Sequence, residues 1–212
     1  APPEPVQAAP AAQATSGERR EVVVMFADLA GYTHLASQLD PEEVHRLLGR
    51  YFEAVDGIVA SHGGTIDKHI GDAVMAVFGA PVAHDNDAER AVRAACAIHA
   101  ALERLGDELG VKLAAHVGIA GGEVVAAGTG SAAHTAYTVT GDAVNLASRL
   151  EGLAKGGQTL VAGPVWRAVD IRARPWIGCF EEQPASCRLA GPRRGPGQVA
   201  STPLRWSDPL VS

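Results

Sequence analysis

The stretch that decides the fold is Gly64-Thr65-Ile66-Asp67-Lys68-His69-Ile70-Gly71-Asp72-Ala73-Val74-Met75-Ala76-Val77-Phe78-Gly79. Apolar residues on both sides of Gly71-Asp72 have the alternating spacing of a pleated sheet, which predicts two short strands joined by a tight turn. Lys68 lies in the middle of the first strand and Asp72 at the tip, in a hairpin otherwise apolar enough to be buried. Because a buried carboxylate is costly unless a cation meets it, the hairpin predicts a cation near Asp72.

A second carboxylate, Asp28, stands in a similar position. It follows the near-continuous apolar run from Glu21 to Ala27, which is typical of a central strand covered on both faces. Taken alone, Asp28 fits the N-cap of a following short helix equally well. Two acids at strand ends, each close to a glycine, indicate a divalent-metal site. Ala30 and Gly31 would bring backbone N–H groups together at a helix start, which also suits a polyphosphate.

Two amphipathic helices separate the predicted strands. Asp40-Pro41-Glu42-Glu43 is a strong helix start, and the apolar stripe that follows runs until Gly63. Asp87 is expected to cap a second helix that ends near Gly106. Between these helices, His84 is predicted to be an ordinary satisfied polar group rather than a metal ligand, because no partner lies at ligand spacing. The same prediction is made for His99.

The next segments are predicted to be two strands, residues 111–119 and 123–127, joined at Gly121-Gly122. The order of strand, helix, strand, strand, helix, strand predicts an α+β fold with a ferredoxin-like βαββαβ core, extended by C-terminal strands and a helix. Residues 128–131 are predicted to be a simple loop and not a P-loop, because no Gly-Lys-Ser/Thr follows.

Another strand is predicted to end at residues 137–142, followed by a third helix from Ala143 to Ala154. Asn145 and Arg149 lie four residues apart on that helix and therefore share one face. They could present an amide and a planar cation to one ligand. An ordinary exposed polar face explains the same spacing, and the spacing alone does not separate the two interpretations.

Composition narrows the classes of function. The 212 residues are 47% hydrophobic and 20% charged, with a net charge of −6, which argues against a general nucleic-acid binder. The three cysteines, which have no CxxC spacing, predict a reducing cytoplasm rather than a disulfide framework. No apolar run is long enough to predict a membrane segment in this chain.

Three regions are expected along the chain. Residues 1–17 are Ala/Pro-rich and are predicted to be a flexible linker, residues 18–190 to be the folded domain that carries the predicted sites, and residues 191–212 to be a disordered Pro/Gly/Arg-rich tail. The chain begins without Met, so further domains in a longer parent chain are expected.

The sequence resembles the catalytic domain of a class III nucleotidyl cyclase of the bacterial adenylyl cyclase type, from about residue 20 to residue 165. Three segments carry the resemblance, in the order and on the elements that the family requires: Phe26-Ala27-Asp28-Leu29-Ala30-Gly31-Tyr32-Thr33, Lys68-His69-Ile70-Gly71-Asp72, and Thr138-Val139-Thr140-Gly141-Asp142-Ala143-Val144-Asn145-Leu146-Ala147-Ser148-Arg149.

The resemblance implies conversion of ATP to 3′,5′-cyclic AMP and pyrophosphate. It implies that Asp28, Asp72 and the Leu29 carbonyl hold two Mg²⁺ or Mn²⁺ ions, for which oxygen ligands are suited. The amides of Ala30, Gly31, Tyr32 and Thr33 would cradle the triphosphate. Arg149 would stabilise charge on the α-phosphate, and Asn145 would orient the ribose.

Base choice and assembly are also implied by the resemblance. Lys68 and Thr138 occupy positions that look like adenine readers, and a lysine can donate to adenine N1, which is an acceptor. The family's sites lie between two subunits, so a head-to-tail homodimer is expected. Asp28 and Asp72 would come from one subunit, and Lys68, Thr138, Asn145 and Arg149 from the other.

The match ends after Val165. The family closes with a Leu-Lys-Gly-like step, whereas this chain has Leu189-Ala190-Gly191, with Ala190 where the lysine would fall. Arg188, Arg193 or Arg194 could supply the charge, and the prolines around this segment argue against a regular closing hairpin. Two other interpretations therefore stay open: a catalytically weak cyclase-homology module that regulates an attached domain, and a relative of diguanylate cyclases or polymerase palms.

Overall fold

The computed structural model describes residues 18–131, 134–169, 177–181 and 188–190. Eight strands and five helices lie in these ranges: β1 (Glu18–Leu29), α1 (Tyr32–Ala36), α2 (Pro41–Ser61), β2 (Thr65–Ile70), β3 (Ala73–Phe78), α3 (Asp87–Leu109), β4 (Ala115–Ser131), β5 (His134–Thr140), α4 (Asp142–Leu153), β6 (Gln158–Ala162), α5 (Gly163–Ala168), β7 (Ile177–Glu181) and β8 (Arg188–Ala190). The predicted linker (1–17) and tail (191–212) lie outside the described residues and stay predictions.

The strands form one sheet in the order β2-β3-β1-β4-β6-β7-β8, and β5 pairs with β4. β1 lies in the middle and is antiparallel to both β3 and β4. The element order from β1 to β4, with β1 between β3 and β4, is that of a ferredoxin-like core, so the predicted α+β fold is confirmed. β6 adds to β4 in a parallel direction and begins the strands of the predicted C-terminal extension.

Both faces of the sheet are covered, which explains why β1 is apolar along its length. Val23, Met25 and Ala27 point into one core that contains residues of α2 and α3. Val22, Val24 and Phe26 point into a second core that contains residues of α4. Alternate residues of a strand face opposite sides, so a strand buried on both sides needs apolar residues at nearly every position.

Two strand predictions were wrong. Gly121-Gly122 is not a turn, because β4 runs unbroken from Ala115 to Ser131 and pairs with β1 through both glycines. Residues 128–131 are not a loop, because they belong to the same strand and pair with β5. The backbones of β1 and β5 pair with this glycine-rich part of β4 and keep it extended, although the local sequence of β4 is typical of turns.

Two further predictions need correction. α3 continues past Gly106 and ends at Leu109, with Gly110 in the left-handed conformation at its C-cap. β7 and β8 pair in antiparallel fashion, so a closing hairpin forms despite the neighbouring prolines. Neither of the two paired strands contains a proline.

Other predictions are confirmed. α2 begins at Pro41 after Asp40 and ends just before the turn at Gly63, and the tip at Gly71-Asp72 joins β2 to β3. His84 contacts Asp87, and the ring of His99 contacts the Thr159 hydroxyl, as expected of satisfied polar groups. Among the described helices, none is long and apolar enough to cross a membrane.

Candidate active site

Asp28 and Asp72 come together at one edge of the central strands. Asp28 lies within β1, so it is not the N-cap of α1; that position is held by Gly31. In the sheet register, Asp28 is opposite Ala73 of β3, and Asp72 directly precedes Ala73. The two side chains are close enough for Asp72, through hydrogen bonding and charge, to raise the pKa of Asp28. The turn at Gly71-Asp72 thus carries the second acid to the end of the strand that carries the first.

The electrostatics of this pair favour a cation. Burial raises the pKa of Asp28 to about 6, with further contributions from its hydrogen bond with Asp72 and from the charges of Asp72 and Glu151. The Leu29 backbone N–H, which donates to Asp28, acts in the opposite direction. Asp28 Oδ1 is buried and accepts no hydrogen bond. A buried carboxylate oxygen without a donor, next to two more carboxylates, is the environment that a divalent cation would stabilise.

His116 and Glu151 extend the cluster, and sequence reasoning missed both. His116 of β4 is opposite Asp28 in the register, and Glu151 lies on α4. Ligand atoms of Asp28, His116 and Glu151 all lie within 4.8 Å of one another. Burial and the charge of Asp72 raise the pKa of Glu151. The pairing of β1 with β4 brings His116 to Asp28, and the packing of α4 on β4 brings Glu151 there, so no local spacing pointed to either residue.

A glycine sets how closely α4 approaches the sheet. A Cβ on Gly118 of β4 would lie 2.1 Å from the Ala147 carbonyl oxygen and 2.3 Å from the Glu151 nitrogen. No larger residue can occupy this position without moving the helix backbone. The missing side chain therefore lets α4 lie directly on β4 and brings Glu151 next to Asp28.

Tyr51 supports β1 from the opposite face of the sheet. This residue of α2 is fully buried, and its hydroxyl donates to the Ala27 carbonyl oxygen at 2.9 Å. Burial, followed by the charges of Asp28, Asp72 and other acids, raises the pKa of Tyr51. Tyr51 is therefore held in its neutral, donating form beside the peptide bond that leads into Asp28.

The segment after Asp28 has one amide fewer available than predicted. The Ala30 N–H donates to the Ala114 carbonyl oxygen at 2.8 Å, so this amide is already used. Gly31 has a φ of 73°, which favours glycine, and leads into the first turn of α1 at Tyr32 and Thr33. The Leu29 side chain is buried in the core, so only its backbone can serve a ligand.

The predicted base readers lie on β2 and β5. Lys68 Nζ is 3.0 Å from Asp67 Oδ2, and the lysine side chain is 45% exposed. Thr138 pairs with Ala127 of β4, and the next residue, Val139, donates its N–H to Asp67 Oδ1 at 3.2 Å. The Asp67 carboxylate therefore contacts both Lys68 and Val139, the residue that follows Thr138.

Asn145 and Arg149 are both exposed on α4. In the part of the chain that the structure describes, neither side chain makes a hydrogen bond or ion pair. Their face of the helix is turned away from Ala147 and Leu150, which are buried against the sheet. The two polar groups are thus accessible to a ligand or to another subunit, while Glu151 on the same helix faces the acid cluster.

Comparison with known proteins identifies the family. The family described as "Adenylate and Guanylate cyclase catalytic domain" matches residues 15–179. Among solved structures, the guanylyl cyclase Cya2 has a TM-score of 0.73 at 33% identity, covering 82% of this chain and 90% of Cya2. The adenylyl cyclase CyaB from P. aeruginosa has a TM-score of 0.68 at 32% identity, covering 71% of this chain and 81% of CyaB. The chain belongs to the class III nucleotidyl cyclase family.

Curated relatives agree with this assignment. Adenylate cyclase 1 of Rhizobium meliloti (strain 1021) is 38% identical over 153 residues, which are 69% of this chain and 23% of that protein. An adenylate cyclase of Anabaena cylindrica is 35% identical over 144 residues, which are 64% of this chain and 28% of that protein. The chain thus spans about a quarter of the length of these relatives. Adenylyl and guanylyl cyclases both occur among the similar proteins, so membership of the family leaves the base open.

Proposed function

We propose that this domain is an adenylyl cyclase. The observation that carries the proposal is the meeting of Asp28 and Asp72, with Asp28 Oδ1 buried and without a donor. In the reaction, the ribose 3′-oxygen attacks the α-phosphorus of ATP and loses its proton. A new P–O bond closes the 3′,5′ ring, and the bond between the α-phosphorus and the bridging oxygen breaks. Pyrophosphate leaves with that oxygen.

The donor set fits divalent cations. Asp28, Asp72 and the Leu29 carbonyl would hold two Mg²⁺ or Mn²⁺ ions, and His116 and Glu151 offer further ligand atoms beside Asp28. When bound, such ions lower the pKa of the 3′-hydroxyl and neutralise phosphate charge.

The remaining roles belong to backbone amides and to α4. The amides of Gly31, Tyr32 and Thr33, at the start of α1, would donate to the triphosphate. Arg149 would place its guanidinium on the α-phosphate, where negative charge grows in the transition state, and Asn145 would orient the ribose. Both side chains are exposed, and the described part of the chain offers them no competing partner, which supports these roles.

ATP is proposed as the substrate because of Lys68. Adenine N1 accepts a hydrogen bond, whereas guanine N1 carries a hydrogen and needs an acceptor. A lysine on β2 can only donate, so it favours adenine. Thr138 on β5 is proposed as the second reader. The names of the relatives from R. meliloti and A. cylindrica point in the same direction.

A homodimer is proposed as the active form. In such a dimer, Lys68, Thr138, Asn145 and Arg149 of one subunit would face Asp28 and Asp72 of the other. The exposure of Ile70, beside the acid-bearing turn, and of Leu153, at the end of α4, supports an interface near the site.

A direct assay tests the proposal. The purified chain is incubated with ATP or GTP and Mn²⁺, and cyclic nucleotide and pyrophosphate are quantified. We expect cyclic AMP from the wild type and none from Asp72→Ala, while Asp107→Ala, a matched change at an exposed acid of α3, keeps wild-type activity. Binding of ATP without turnover would instead indicate a regulatory cyclase-homology module, and cyclic GTP as the main product would overturn the choice of base.

A further inference from the structure

The strand β2 carries a buried charge next to the proposed base reader. The Asp67 side chain is only 2% exposed, although it is a carboxylate on an edge strand. Such a group is stable only when charged or strongly polar donors surround it. Its partners include Lys68, whose Nζ lies 3.0 Å from Oδ2, and the Val139 N–H, which donates to Oδ1 at 3.2 Å.

A β-bulge explains how Asp67 and Lys68 meet. In regular strands, neighbouring side chains point to opposite faces. Here Ile66 pairs with Ala76 and Lys68 with Met75, so the register shifts at Asp67. A bulge places two residues opposite one and redirects a side chain, and it often occurs beside functional sites. The carboxylate can therefore reach the ammonium group of the next residue.

The other end of the connection lies on β5. This strand does not pair with β2 in the sheet; it pairs with β4. Val139 of β5 belongs to the same buried cluster as Met75 and Val77 of β3, so this end of β5 lies near β2. The contact between Asp67 and Val139 spans 72 positions of sequence. It links β2 to the residue that follows Thr138.

We propose that Asp67 is a specificity-determining positioning residue, whose carboxylate holds Lys68 and the Thr138–Val139 backbone in the arrangement that recognises adenine. Asp67 does not touch the base. Its Oδ2 sets where the lysine ammonium lies, and its Oδ1 sets the distance between β2 and β5. Because an ammonium group has three N–H donors, a lysine oriented by one carboxylate can still donate to a base. The inference rests on the proposed function.

The test separates binding of the base from turnover. Binding of α,β-methylene ATP and α,β-methylene GTP in the presence of Mn²⁺ is measured by calorimetry, and KM and kcat are measured with ATP. Asp67→Asn keeps the volume and an oxygen for the Val139 amide but removes the charge that orients Lys68. We expect the preference for the ATP analogue over the GTP analogue to fall about tenfold, as for loss of a charged hydrogen bond, with a matching rise in KM and little change in kcat.

A second variant at Lys68 and a control variant at another ion pair test whether Asp67 acts through the lysine. Lys68→Met should lose the same preference, and adding Asp67→Asn to it should cause no further loss, because the carboxylate acts through the lysine. Glu89→Gln neutralises another acid that pairs with a cation, Arg93 at 2.6 Å on exposed α3, and should leave the preference unchanged.

Several outcomes would overturn the inference. They are an unchanged preference in Asp67→Asn, full additivity with Lys68→Met, and equal binding of both analogues by the wild type. Unfolding of Asp67→Asn at the assay temperature, with Lys68→Met folded and selective as wild type, would show that Asp67 serves only the fold. If the wild type forms no cyclic product but its preference for the ATP analogue still depends on Asp67, the proposed reaction is wrong and this inference stands.

Discussion

At the level of single residues, the acid cluster brings Asp28 close to two other carboxylates, which repel it when all are charged. Burial is the largest cause of the raised pKa of Asp28, and its interactions with Asp72 and Glu151 add to the effect. The folded chain therefore binds the Asp28 proton more tightly than the unfolded chain does. The stability that this proton contributes is fully present below the ordinary pKa of 3.8 and is lost as the pH rises through about 6.

Neutralising Asp28 should stabilise the metal-free protein. For Asp28→Asn at pH 7.5 in EDTA, we expect the free energy of unfolding to rise by about 1 kcal/mol, after allowance for solvent screening of this partly exposed carboxyl. Urea denaturation measures this change. Mn²⁺ should raise the midpoint of the wild type and leave that of the variant unchanged, since the proposed ligand is gone. A less stable variant in EDTA would contradict the electrostatic account.

His99 should make the fold sensitive to acid. Burial lowers the pKa of His99 to about 4, so the unfolded chain takes up a proton below pH 6.5 that the folded chain refuses. Stability from the neutral ring is complete above pH 6.5 and is lost as the pH falls toward 4. Between pH 7 and pH 5 the wild type should therefore lose about 2 kcal/mol more than His99→Gln, measured by urea denaturation at both values. Exposed His45→Gln is the control, and equal losses in wild type and His99→Gln would refute the prediction.

At the scale of elements, α4 is the helix that both packs the core and supplies polar groups to the site. Ala147 and Leu150 bury one side of it, Glu151 faces the acid cluster, and Asn145 and Arg149 face outward. The position of the helix depends on Gly118, because only hydrogen fits between β4 and the helix backbone.

A methyl group at this point should displace the helix. For Gly118→Ala we expect a loss of about 3 kcal/mol in the free energy of unfolding, because backbone atoms and not a flexible side chain must move. Gly122→Ala is the matched control on the same strand, where the added Cβ would lie 3.5 Å from the Ala143 Cβ, an ordinary contact. Urea denaturation of both variants gives the comparison. Equal stability of the two would show that α4 does not depend on Gly118 for its close approach.

For the whole molecule, the proposal is that the site is shared between two copies of the chain. Asp28 and Asp72 occupy the end of the central strands, while Lys68 lies on β2 and Arg149 on the exposed face of α4. In a two-fold head-to-tail pair, each site would take the acids from one subunit and the other polar groups from its partner.

Complementation tests this arrangement. Asp28→Ala and Arg149→Ala should each be inactive alone, and mixing them should restore part of the activity, because one of the two sites in each mixed dimer is intact. Mixing Asp28→Ala with Asp72→Ala should restore none, since every site then lacks one acid. Cyclic product is measured after the subunits have exchanged. Rescue of the second mixture, or no rescue of the first, would contradict a shared site.

Much of the fold could be predicted because its signals are local. The continuous apolar run of β1, the two-residue period of β2 and β3 and the helical period of α2 and α3 follow from which residues must be buried. The residue types Gly71-Asp72 predict the turn, and the apolar runs beside Asp28 and Asp72 predict that both acids lie at strand ends.

The features that could not be predicted depend on contacts between elements that are distant in the chain. The unbroken course of β4 through Gly121-Gly122 requires β1 as a neighbour, since the same glycines could equally form a turn. His116 and Glu151 join Asp28 only through the β1–β4 register and the close approach of α4 at Gly118. The bulge that turns Asp67 toward β5 has no local signal either. Most strands and helices, and the acids at the strand ends, follow from local sequence alone. The course of β4 and the set of side chains that share a site follow from contacts between elements, because those contacts join positions far apart in the chain.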